Sequence, residues 1–271
     1  MVVILHGLAL VLYVAATGIL IGSLVQGRRT VSRGGEATLA GGVLAHGVGL
    51  GAYVLRFQEL PLVGLAPSLS VLSFLIGAVL LGMAAYREAR TIGLILAPLI
   101  STLLAVALLL GIAPAGEAFA FRGPWFHLHV FLAFVGYAGL AVSFAAGLLY
   151  LLQFRELKGK HFGRMFRFFP ALDTLDLVGR RSLAVGFSSL SLALVLGWAW
   201  TVRFQHSFAF GDPKVAWAVL TWLTFAAVLA ARRGGSRRSR RGALASVVGF
   251  AVVVLVYVIL RLSVTGGALF L

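Results

Sequence analysis

Six histidines carry most of the chemical potential of this 271-residue chain, which has no cysteine and only eight acidic residues. Without cysteine the chain can form no disulfide, thiolate metal site or thiol nucleophile. His46 stands in Gly41-Gly42-Val43-Leu44-Ala45-His46-Gly47-Val48-Gly49-Leu50-Gly51, the middle of an apolar run. It lies about 14 Å from the nearer polar end at about 1.5 Å per residue. An ionisable side chain that deep in a bilayer is costly and points to an interior site. The bland alternative is a neutral imidazole bonded to a carbonyl of another helix. His129 closes the stretch Pro124-Trp125-Phe126-His127-Leu128-His129, about 6 Å inside the next long apolar run. Its alternative is an interfacial imidazole wetted by headgroup water. His127 and His129 are two apart, so they face different sides of a helix. His6 and His127 are shallow, and interfacial positions explain them more simply. His161 falls in a basic segment and reads as solvated, and His206 falls among phenylalanines in a loop.

Two imidazoles facing a cavity between helices are what axial ligation of a haem iron requires. Zinc usually takes three or four protein ligands, and no His/carboxylate cluster in the sequence supplies them. No phosphate-binding glycine loop, hydrolytic triad or paired-carboxylate site is visible, so no catalytic residue is assigned. The pair assigned to haem iron is His46 and His129, with His6, His127 and His206 as secondary candidates. Their depths differ by several ångströms, which strains one shared site unless the run after Pro124 enters deeper. Separate sites, or His6 as the partner of His46, stay open.

The elements that must hold these groups are membrane spans. The chain is 61% hydrophobic and 11% charged, against about 25% charged in ordinary soluble domains. Several apolar runs reach the roughly 20 residues that cross a hydrocarbon core. The composition predicts an all-α polytopic membrane protein, one integral-membrane domain over 1–271 with eight transmembrane helices. The spans fall at about 2–25, 37–55, 67–86, 91–112, 125–153, 178–202, 214–231 and 242–265. Pro124 suits a first helical turn and Trp125 a headgroup level. Asp212-Pro213-Lys214 reads as an acidic N-cap followed by proline at the first helical position. The brief connection between spans three and four implies an antiparallel helical hairpin, and the 33 glycines suit close helix packing in lipid.

The net charge of +15 does not indicate nucleic acid, because the basic residues fall between spans. Of the 23 Lys and Arg, 18 follow spans one, three, five and seven, counting Arg180 and Arg181. This bias places the arginine-rich loops in the cytoplasm and both termini on the outer, periplasmic side. The first run lacks a basic leader and reads as a permanent span, not a cleaved signal. All eight acids lie in loops or near span ends, which argues against an ion transporter.

Several stretches together resemble a known family. They are the histidine of span two, the Pro67-Ser68-Leu69-Ser70 start of span three, PWFHLHVFLAFVGYAGLAVSFAAGLLYLLQ, LDTLDLVGRRSLAVGFSSLSLALVLGWAW, DPKVAWAVLTW, and an arginine-rich turn before the last span. The chain is similar along essentially its whole length to the cytochrome c assembly membrane proteins, the CcsA, CcmC and HemX group. Its most specific parts are Asp212 to Trp222 and Trp125 to Val130. The resemblance implies haem held in the membrane by histidines and presented outside on a tryptophan-rich loop between two further histidines. By it, His129 matches the first external histidine and His46 the first membrane histidine. Trp200 and Asp212 match the ends of the tryptophan-rich motif, and Phe208, Phe210 and Trp217 would complete an outer platform. The departures are specific. The loop reads Phe204-Gln205-His206-Ser207-Phe208-Ala209-Phe210-Gly211, and the second membrane and external histidines are replaced near Leu229-Ala230-Ala231 and Ser263-Val264-Thr265-Gly266-Gly267.

The resemblance is thus closest to the HemX-like branch. It implies a bacterial inner-membrane protein that binds or handles haem b during cytochrome c biogenesis and is not a complete haem lyase by itself. Its partners would be the lipid bilayer, other maturation proteins or an apocytochrome. The alternative implied is a HemX-like subunit that regulates or scaffolds a partner without haem.

Overall fold

The computed structural model describes residues 1–27, 33–83, 91–114, 123–160, 163–204, 213–232 and 236–263. Among them the chain is all-helical: α1 (Val2–Val25), α2 (Arg33–Phe57), α3 (Leu65–Met83), α4 (Gly93–Leu110), α5 (Pro124–Lys158), α6 (Arg164–Phe168), α7 (Leu172–Phe204), α8 (Pro213–Arg232) and α9 (Ser236–Ser263). All but α6 are long and apolar enough to cross a membrane. Helices satisfy every backbone group within the segment, which lipid cannot do.

The helices overrun the apolar spans at their polar ends. α2 begins at Arg33, α5 runs on to Lys158, α7 begins at Leu172 and α9 at Ser236. Charged side chains are cheap once a helix leaves the hydrocarbon, so the apolar run marks the span and not the helix. Pro124 is the first residue of α5 after extended Gly123. α4 ends where Gly111 adopts φ +84°, a conformation open to glycine at a C-terminus.

Because α1 is apolar all round, its inward face is marked by small and polar residues. His6, Ala9, Tyr13, Ala16, Leu20 and Ser23 recur at spacings of three and four and are buried. α1 packs on α2 and α4, α3 on α4, and α2 on α3. α3 and α4 thus form the expected hairpin. α5, α7, α8 and α9 form the other half, and α5 also lies against α3 and α4.

Glycine lets α5 and α7 approach closely. A Cβ on Gly139 would lie 2.6 Å from Ser182 O and 2.8 Å from Gly186 Cα, and one on Gly136 would meet Leu190 Cβ at 3.1 Å. Small residues let helix backbones touch where lipid supplies no hydrophobic drive.

The second half is tied at one end by a buried charge. Arg232, 4% exposed, donates from Nε to Ser246 Oγ at 2.8 Å and from Nη1 to Asp176 Oδ1 at 3.3 Å. Ser246 continues to Ser143 Oγ at 3.0 Å, so the network joins α5, α7, α8 and α9. Gly179 and Gly242 cradle the arginine, since a Cβ on either would lie 2.7 Å from its side chain.

Candidate functional site

Two antiparallel seams hold the candidate histidines. Along α1 and α2, Gly49 faces His6 and Gly42 faces Tyr13, where added Cβ atoms would lie 2.9 Å from His6 Nδ1 and 2.7 Å from Tyr13 Cδ1. His46 falls between those levels, where α1 carries the small residue Ala9. Its imidazole lies between His6, at a ring separation of 5.1 Å and an interplanar angle of 72°, and Tyr13, at 5.8 Å. From α3, Ser70 and Phe74 complete the enclosure, with Phe74 5.6 Å from the His46 ring.

Both ring nitrogens of His46 are hydrogen-bonded. Tyr13 Oη lies 3.2 Å from Nδ1 and Ser70 Oγ 2.9 Å from Nε2. A neutral imidazole donates from one nitrogen and accepts at the other, so one hydroxyl donates and the other accepts. The arrangement pins α1, α2 and α3 together. His6 and His46 are each 0% exposed. His6 Nδ1–H donates to Val2 O at 2.8 Å, which leaves Nε2 as a buried lone pair with no partner.

His129 occupies the α5–α7 seam. Its Nδ1–H donates to Ala193 O at 2.6 Å. Gly197, one turn further along α7, lies flat against the ring: a Cβ there would fall 2.7 Å from Cε1 and 2.9 Å from Nδ1. Phe126 and Trp200 pair at 5.9 Å one turn above, and His127 rests edge-on to Phe126, also at 5.9 Å. Trp217 is engaged elsewhere, donating from Nε1 to Tyr137 Oη at 3.2 Å and packing on Tyr257.

The structure therefore brings His46 together with His6, and no hydrogen bond or ring contact joins His46 to His129 among the described residues. Of the two open arrangements, the geometry matches His6 as the neighbour of His46. His206, Phe208, Phe210 and Asp212 lie outside the described residues. Tyr13, Ser70, Ala193 and Gly197 were not read from the sequence as site residues, although Ser70, Ala193 and Gly197 lie in the stretches that carry the family resemblance. Tyr13 had a signal, since it follows His6 by seven residues on one helix face. Ala193 acts through its backbone and had none.

A family model described as Cytochrome C assembly protein matches residues 61–266. The chain belongs to that family. The cytochrome c assembly match contains His129, Ala193, Gly197 and Trp200 and begins after His6 and His46. The chain is also similar to proteins named cytochrome c biogenesis protein CcsA. The one from Guillardia theta is 30% identical over 153 residues, 51% of this chain and 51% of that protein. The one from Chlamydomonas reinhardtii is 30% identical over 134 residues, 49% of this chain and 37% of that protein. The one from Synechococcus elongatus is 41% identical over 85 residues, 31% of this chain and 26% of that protein. The chain spans about half the length, or less, of the curated relatives it matches.

Proposed function

We propose that this cytochrome c assembly protein handles haem, held noncovalently as haem b, at the His129 end of the α5–α7 seam. The observation that carries the reading is the state of His129. A metal-ligating histidine almost always donates its other ring N–H to a carbonyl, carboxylate or water. His129 has that arrangement: Nδ1–H is committed to Ala193 O, and Nε2 has no hydrogen-bond partner among the described residues. Its donor chemistry fits a haem iron. Phe126 and Trp200 form an apolar wall one turn above, suited to the edge of a flat macrocycle.

His46 fits haem less well. Its nitrogens are both occupied, and Gly42 and Gly49 let α1 and α2 close onto the site. A macrocycle held by both imidazoles would have to pass between their rings. His6 and His46 are 5.1 Å apart with direct ring contact.

Bound haem would supply an exchangeable iron porphyrin, and the protein would hold and orient it for other maturation proteins or an apocytochrome. The reduced motif set supports a HemX-like relative and not a complete lyase. The charge bias supports a bacterial inner membrane, with the arginine-rich loops cytoplasmic and residue 1 outside.

The test is a visible spectrum of protein purified in mild detergent and supplied with haem. A Soret band that His129→Ala removes and His46→Ala keeps supports the assignment. A band indifferent to His129 overturns it, and no band in the unsubstituted protein supports the haem-free scaffold instead.

A further inference from the structure

Arg232 is a buried charge whose compensation is incomplete. Its Nη1 reaches Asp176 Oδ1 at 3.3 Å, but its Nη2 meets no acceptor among the described residues. Buried donors without partners are rare, and each one asks for an explanation. Here a single carboxylate serves too many groups. Asp176 Oδ2 also accepts from Arg180 Nε at 3.2 Å and from Ser239 Oγ at 3.3 Å. Ser239 is followed by Arg240, whose guanidinium stands 5.4 Å over the Phe154 ring. Arg181 and Arg241 come next on the same two helices. Against these five arginines, the only acids in the sequences of α7, α8 and α9 are Asp173 and Asp176. Positive charge is left over where the three helices meet.

We propose that this arginine cluster binds the phosphodiester of an anionic phospholipid, with the guanidiniums of Arg180 and Arg240 as its direct contacts. Both side chains belong to exposed residues, and both are already held. Arg180 is fixed by Asp176, and Arg240 by Phe154, which itself stacks on Tyr150 at 6.3 Å. A planar guanidinium fixed before binding loses less freedom and offers paired N–H donors to phosphate oxygens.

The depth also suits a lipid. The apolar runs of α7 and α9 begin at about residues 178 and 242, so these arginines stand where headgroups meet hydrocarbon. Basic pockets between membrane helices at that level bind acidic headgroups. Val185 on α7, and Leu244 and Val248 on α9, are exposed and follow the arginines toward the bilayer centre. They offer apolar surface to acyl chains. A free phosphate would find the charge and not the chains.

The experiment uses the full chain in a mild neutral detergent, titrated with phosphatidylglycerol and separately with phosphatidylcholine. Native mass spectrometry reads the lipid retained. One phosphatidylglycerol per chain should survive where phosphatidylcholine is stripped. Arg240→Gln should weaken retention about 5-fold, the effect of one basic residue at an acidic lipid surface. Phe154→Leu keeps every charge, removes the ring beneath Arg240 and should weaken retention by less. It carries the test alone if a melting curve shows Arg240→Gln unfolded. Arg167→Gln removes the same charge from α6, which packs on α5 and α1, and should leave retention unchanged. Equal retention of the two lipids, or a loss in Arg167→Gln matching that in Arg240→Gln, overturns the proposal, since either marks a diffuse field and not a site. Inorganic phosphate should fail to displace the lipid; complete displacement would make the cluster a free-anion site and also overturn the lipid assignment.

Discussion

A methyl group at Gly197 would fall 2.7 Å from His129 Cε1, too close for the ring to stay where it is. Gly197→Ala should therefore push the imidazole off Ala193 O and weaken haem at least about 10-fold, the scale on which outer-shell contacts act. The helix itself gains from alanine by up to about 1 kcal/mol, so thermal unfolding should show no loss of fold. Titration of the variant with haem, alongside its melting curve, checks both halves of this expectation. At this scale the sequence was legible where a residue was out of place in its surroundings. A lone imidazole deep in an apolar run exposed His46. It left His6 as one of several open partners, because only the register of α1 on α2 decides that Ala9 leaves room for the ring and that His6 comes within 5.1 Å. His6 looked shallow by its position in the run and is fully enclosed, because α2 covers it.

Whether a glycine is structural depends on what faces it across the helix pair. Gly139→Ala should cost about 1–3 kcal/mol through overpacking, since the new Cβ would meet Ser182 O at 2.6 Å. Gly82→Ala on α3 meets nothing within 4 Å and should instead gain up to about 1 kcal/mol of helix propensity. Chemical unfolding in one detergent, run on both variants, reads the opposite signs. The number and centres of the spans could be read from hydropathy because roughly 20 apolar residues are needed to cross. The helix ends could not, because a helix continues into the headgroups without hydrophobic residues. α5 running on to Lys158 is the clearest case.

Over the whole molecule, a buried charge pair supplies anchorage, and the bias of basic residues predicts the orientation. The chain has no cysteine, so single introduced thiols report sidedness cleanly. Leu60→Cys should react with an impermeant thiol reagent from the outer face and Gly159→Cys from the cytoplasmic face; the reverse pattern would invert the orientation. Asp176→Asn strips the buried Arg232 of its counter-charge and should cost about 3–5 kcal/mol. Combining it with Arg232→Met should recover most of that loss in the same unfolding assay, because an apolar replacement of both partners removes the stranded charge. Such a pair was invisible in the sequence, where Arg232 stands at the start of the arginine-rich turn before the last span. α5 reaches into both halves, touching α3 and α4 on one side and α7 and α9 on the other. The gene could then be cut between codons 114 and 123 and the two polypeptides made separately. Helix α5, carried by the second, would dock onto the first and rebuild the whole from its parts.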